Sequence, residues 1–64
     1  MEVGLRIKII REKNGLSQFK LARKTGYLNQ SQISKIENGQ RSIKADELIM
    51  LSNVLNVSLI ELIN

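Results

Sequence analysis

The stretch NQSQISKIENGQ, residues 29–40, sets hydrogen-bonding side chains around two isoleucines. Ile33 and Ile36 lie three apart, the spacing of helix residues that face a core. Gln30, Ser31, Gln32, Ser34 and Lys35 surround them with amide, hydroxyl and ammonium groups. Such groups recognise a partner by donating and accepting hydrogen bonds. The rest of the sequence adds no reactive chemistry. It has no histidine and no cysteine, which removes the commonest general base, thiolate metal ligands and every Ser-His or Cys-His nucleophile pair. Its carboxylates, Glu2, Glu12, Glu37, Asp46, Glu47 and Glu61, are too scattered to form a paired acid/base site. An enzyme is disfavoured, and neither a cofactor nor a small-molecule ligand is expected.

A short helix with two apolar positions is not stable alone, so other elements must hold it. At 64 residues the chain has length for one domain, residues 1–64. A domain of that size buries only about 60% of the surface its unfolded chain exposes. The apolar spacing predicts five short helices. Val3, Ile7 and Ile10 form the stripe of the first, which Gly15 stops. Ser17 caps a second, with Leu21 and Ala22 inward, and Gly26 ends it. The third opens at Asn29 or Gln30 and closes at Asn38-Gly39. The fourth runs from about Lys44 to Leu55, with Leu48, Leu51 and Leu55 on one side, and Asn56 takes the left-handed position after it. Ser58-Leu59-Ile60-Glu61 reads as a capping box for the fifth. The expected fold class is all-α, a compact bundle of five short helices.

Charge is unevenly distributed. The net value is +4, but residues 1–44 hold all ten basic residues against three acidic ones, +7, and residues 45–64 hold three acidic residues alone, −3. A positive field on one side favours a polyanion, and nucleic acid is the usual one. No apolar run approaches the roughly 20 residues that span a membrane. The chain reads as soluble and cytoplasmic, with no membrane partner.

LSQFKLARKTG, then ISKIENGQRS, then LIMLSNVLNVSLIEL resembles the phage lambda repressor/Cro-type helix-turn-helix family. The likeness covers Val3 to Leu62, with the motif itself at about residues 18–37. Ala22 is the small residue where the two motif helices press together, and Gly26, four residues on, suits a turn of positive φ. Three features depart from the family pattern. Six residues separate Gly26 from Ile33 where five are usual, the proline common after the third helix is missing, and Phe19 stands at a position usually polar. The longer turn falls at Tyr27-Leu28-Asn29, and Phe19 is expected to pack against a neighbouring loop.

The resemblance implies double-stranded DNA as partner, with helix 30–38 in the major groove and its first residues at base edges. Gln30, Ser31, Gln32, Ser34 and Lys35 are the implied base contacts. Glutamine can pair bidentately with adenine, and lysine favours guanine. Implied phosphate contacts are Gln18, which would also brace the first recognition glutamine, and Arg41 and Lys44. The backbone N–H groups of Asn38 to Gln40 would add to them. Lys20, Arg23 and Lys24 are weaker candidates. Arg11 and Glu37 match a partly buried ion pair of the family, in which Arg11 can also serve a phosphate.

Family members usually bind as two-fold dimers on half-sites about 34 Å apart. Met50, Leu59, Ile60 and Ile63 are the expected dimer interface, with Ile49 close by and Leu5 and Ile9 as a second apolar pair. The leading expectation is a sequence-specific transcriptional regulator, a repressor of phage or bacterial type acting on a palindromic operator. An antitoxin or a restriction-modification controller protein would share this domain. A protein-interaction adaptor is the reading from another class, disfavoured by the polar face and basic loops.

Overall fold

The computed structural model describes residues 2–64. Five helices follow in order: α1 (Val3–Lys13), α2 (Gln18–Thr25), α3 (Gln30–Glu37), α4 (Ala45–Val54) and α5 (Leu59–Ile63). No strand occurs among the described residues. The molecule is a compact all-α bundle with principal extents of 25 × 23 × 20 Å. α3 packs against α1 and α2, α4 against α2 and α5, and α5 closes back on α1.

Local chemistry sets the ends of the helices. Ser17 Oγ accepts from the Lys20 N–H at 3.0 Å and starts α2. Asn29 Oδ1 accepts from the Gln32 N–H at 2.8 Å, and the Asn29 N–H donates back to Gln32 Oε1 at 2.9 Å, a complete capping box for α3. Gly26, at φ 64°, ends α2 in the left-handed region, and Asn56, at φ 57°, does the same after α4 without being glycine. Two expected spans shorten by a residue or two. Asn38 caps α3 rather than belonging to it, and Lys44 and Leu55 flank α4 as its caps.

The core is Ile7, Leu21, Ala22, Leu28, Ile33, Ile36, Leu51, Leu55 and Leu62, with Val3, Ile10 and Leu48 packed on its edge. Every helix contributes, so each short element is stabilised mainly by the burial of its neighbours' apolar surface. Leu28 is the member that helix periodicity does not reveal, because it lies in the α2–α3 turn. Thr25 makes this possible. Its Oγ1 donates to the Ala22 carbonyl at 2.6 Å and accepts from the Leu28 and Tyr27 N–H groups at 3.0 and 3.2 Å. The longer turn is thus tied at one end and anchored by a buried leucine at the other.

Phe19 corrects an expectation. It does not pack under a loop but is 54% exposed, with the Arg23 guanidinium over its ring.

Candidate nucleic-acid interface

α3 has two unlike sides. Ile33, Ile36 and Glu37 are buried, which fixes the helix in the bundle. Gln30, Ser31 and Lys35 are exposed, and Gln32 and Ser34 are half-buried. The exposed three occupy the first two turns and bring an amide, a hydroxyl and an ammonium to one surface. Such a set can read donor and acceptor patterns on base edges.

Gln32 has a different duty from the one expected. Its Oε1 already accepts the Asn29 N–H in the capping box. Bidentate pairing with adenine needs both ends of the amide, so in this position Gln32 offers chiefly its NH2 group. Gln18 is likewise redirected. Its Nε2 donates to Glu37 Oε1 at 2.9 Å, so it braces Glu37 and not a recognition glutamine.

Glu37 is the centre of a buried network. Its Oε2 accepts from Arg11 Nε at 2.7 Å, and its Oε1 accepts from Arg11 Nη2 at 3.1 Å as well as from Gln18. Arg11 Nη1 donates to the Leu16 carbonyl at 2.7 Å. One guanidinium therefore joins α1, the α1–α2 loop and α3, and Glu37 adds α2. The hydrogen bond to Glu37 is the main cause that raises the Arg11 pKa above its ordinary value. Arg11 is 7% exposed with its donors turned inward, which corrects the expectation that it also serves a phosphate.

The loop after α3 differs most from expectation. The backbone N–H groups of Asn38, Gly39 and Gln40 do not face outward. They donate to Ser34, Ile36 and Lys35 carbonyls at 3.0, 3.2 and 2.8 Å and close the helix end. Asn38 and Gln40 keep exposed side chains. Arg41 is not a free cation. Its Nη1 and Nη2 donate to the two oxygens of Glu47 at 2.9 and 2.8 Å. Lys44 is exposed and makes no ion pair among the described residues.

The Arg41–Glu47 pair escaped sequence reading. Glu47 is 1% exposed, and its Oε1 also accepts the Lys44 N–H at 3.0 Å. The available signal was the position of Glu47, third in α4, where a glutamate commonly reaches back to the N-cap. Hydrogen bonding from Arg41, then from the Lys44 backbone, outweighs desolvation and lowers the Glu47 pKa from 4.5 to about 2. A carboxylate depressed in the folded state stabilises the fold above its unfolded pKa. That stability is lost as pH falls from about 4.5 to about 2. Acid unfolding of Glu47→Gln, followed by helical circular dichroism, should accordingly lack part of the wild-type slope in this window. An unchanged slope would mean that the carboxylate does not hold the loop.

Among the expected dimer residues, Leu59, Ile60 and Ile63 are 38%, 65% and 51% exposed. Ile49 and Leu5 are exposed as well. Met50 is only partly so, because it packs on the core edge. No described group of three or more acidic side chains could hold a metal, and no described helix is long and apolar enough to cross a membrane.

Two helices joined by a tied turn, the second presenting a polar face, define a helix-turn-helix domain. The helix-turn-helix family model matches residues 7–62, and the chain belongs to that family. The class of activity is DNA-binding transcription regulation. Among solved structures, the restriction-modification controller protein C.AhdI from Aeromonas hydrophila is similar, with a TM-score of 0.88 and 33% sequence identity. The match covers 94% of this chain and 86% of that one. No curated protein matches the sequence significantly.

Proposed function

We propose that this chain is a sequence-specific repressor that places residues 30–38 in the major groove of a palindromic operator. The observation that carries this reading is the exposed trio Gln30, Ser31 and Lys35 on a helix pinned from behind by Ile33, Ile36 and Glu37. A rigid helix with its hydrogen-bonding groups unspent suits the roughly 12 Å major groove. Ser34 and the Gln32 amide lie beside the trio at the margin of that surface. Asn38, Gln40 and Lys44 flank it as phosphate contacts. The protein acts as a homodimer, since one α3 reads too few base pairs for a unique site, and Leu59, Ile60 and Ile63 supply an apolar surface on α5. Repression follows from occupying the operator and excluding polymerase.

The likeness to a restriction-modification controller protein favours a second reading of the physiological role, in which the same DNA-binding act controls such a system. Both readings share one test. Selection from a random duplex library should return a palindrome with half-sites about one helical turn apart. On the selected duplex, about 6–8 phosphate contacts per dimer give a slope of log K against log salt of about −5 to −7. Lys35→Ala should weaken binding by roughly 1–3 kcal/mol and relax preference at one position of each half-site. A flat salt response, or no duplex binding at low salt, would sink the DNA reading.

A further inference from the structure

We propose that Phe19 and Arg23 form a phosphate clamp on α2, in which the ring of Phe19 positions the Arg23 guanidinium against the DNA backbone. The proposal rests on the DNA reading above and adds a contact to it.

The two aromatic residues of the chain, Phe19 and Tyr27, both lie outside the core, at 54% and 64% exposed. An exposed phenylalanine on a domain this short of apolar surface forgoes burial that would stabilise the fold. Its neighbour explains the placement. The Arg23 guanidinium carbon lies 5.8 Å from the Phe19 ring centroid, within the range of a cation–π contact. The pair is spaced i, i+4, where side chains on one helix face meet. Leu21 and Ala22 turn inward on the other side of α2, with Gln18 and Thr25 half-buried beside them. Phe19 follows Gln18, the residue that ties the start of α2 to the end of α3. The stack thus begins beside a residue that is hydrogen-bonded to the reading helix.

Charge identifies the occupant. Lys20, Arg23 and Lys24 are exposed cations, and α2 has no acidic residue. Arg23 makes no ion pair among the described residues, in contrast to Arg11 and Arg41. A cation held over an aromatic ring has fewer rotamers to lose when it meets an anion, and its planar fork suits a phosphate diester. A charged, sequence-independent polyanion beside the groove fits this surface better than a neutral or apolar partner.

The test uses the selected operator duplex, wild-type protein and the variants R23Q, R23K, F19A and the double variant F19A/R23Q. Because both side chains are exposed, thermal melting should stay close to wild type in every variant, and it is measured alongside. R23Q should flatten the salt slope by about 0.9 per site, hence about 1.8 for a dimer. R23K should keep the slope and lose part of the affinity, since the charge remains while the planar stack does not. F19A should weaken binding several-fold in the wild-type background and have no further effect in R23Q. An R23Q slope equal to wild type overturns the clamp, including the case in which the surface serves an acidic protein instead. Independent, multiplying effects of F19A and R23Q overturn the positioning role of Phe19. Failure of wild type itself to bind duplex overturns the DNA reading, which keeps the two failures distinct.

Discussion

Glu37→Gln should lower the stability of this domain by about 3 kcal/mol, the scale of breaking a buried ion pair from one side. For a domain of this size each kcal/mol shifts the melting temperature by roughly 4–8 °C, so a loss of about 12–24 °C is expected. The reason lies in the count of donors around the carboxylate. Both oxygens accept, Oε2 from Arg11 Nε, and Oε1 from Arg11 Nη2 and Gln18 Nε2. Glutamine has the same shape but offers one acceptor, and its NH2 would face donors. The Arg11 charge, 7% exposed, would then keep as counter-ion only the solvated Glu12 carboxylate, 3.9 Å from Nη2. Removing both partners is a different experiment. Arg11→Met with Glu37→Leu eliminates the stranded charge and should recover much of the loss. Thermal melts followed by circular dichroism decide the matter, and a melting temperature unchanged in Glu37→Gln would refute the network. Because Arg11 and Glu37 join α1, the α1–α2 loop, α2 and α3, the same variant should also weaken duplex binding at temperatures where it remains folded.

This network also marks how far the sequence alone could be read. Signals that act within a few residues were legible. Ser17, Gly26 and Asn56 start or stop helices because the groups they bond or the φ they need lie next to them. The stripes through Ile7, Leu21, Ile33, Ile36, Leu51 and Leu55 were legible because helix geometry repeats. Leu28 was not, since a turn has no period and its burial depends on a Thr25 side chain bonding two backbone groups. Gln32 was ambiguous in kind. The same amide suits a base edge and an N-cap, and only the fold shows that the cap holds its oxygen. Arg41 read as a phosphate contact because its loop position and charge fit one. Its actual partner, Glu47, read as an ordinary acidic residue in a helix's first turn. Residue types specified which surfaces could bind, but non-local pairing decided which donors stay free to do so.

Gly4→Ala should destabilise the domain by about 2 kcal/mol, although a helix ordinarily favours alanine. Gly4 lies in the second position of α1, where that helix crosses α3. A Cβ built on Gly4 would sit 2.0 Å from the Ile36 carbonyl oxygen and 3.0 Å from its carbon. The obstacle is backbone, so no side-chain rotation relieves it. Better helix propensity returns at most about 1 kcal/mol. Relieving the contact requires α1 to withdraw from α3, and forced expansions of a packed core cost about 1–3 kcal/mol, occasionally more. The Ile36 carbonyl also accepts the Gly39 N–H that helps to close the end of α3, so its displacement would loosen that closure too. The clash therefore outweighs propensity, and the melting temperature should fall by roughly 8–16 °C. A Gly4→Ala protein that melts at or above wild type would show that α1 and α3 do not meet backbone to backbone. The close approach has a use in the binding reading. With no side chain between them, α1 forms a rigid backstop along the buried side of α3, opposite Gln30, Ser31 and Lys35. Operator affinity of Gly4→Ala, measured well below its melting point, should drop even though the substituted residue lies behind the reading face.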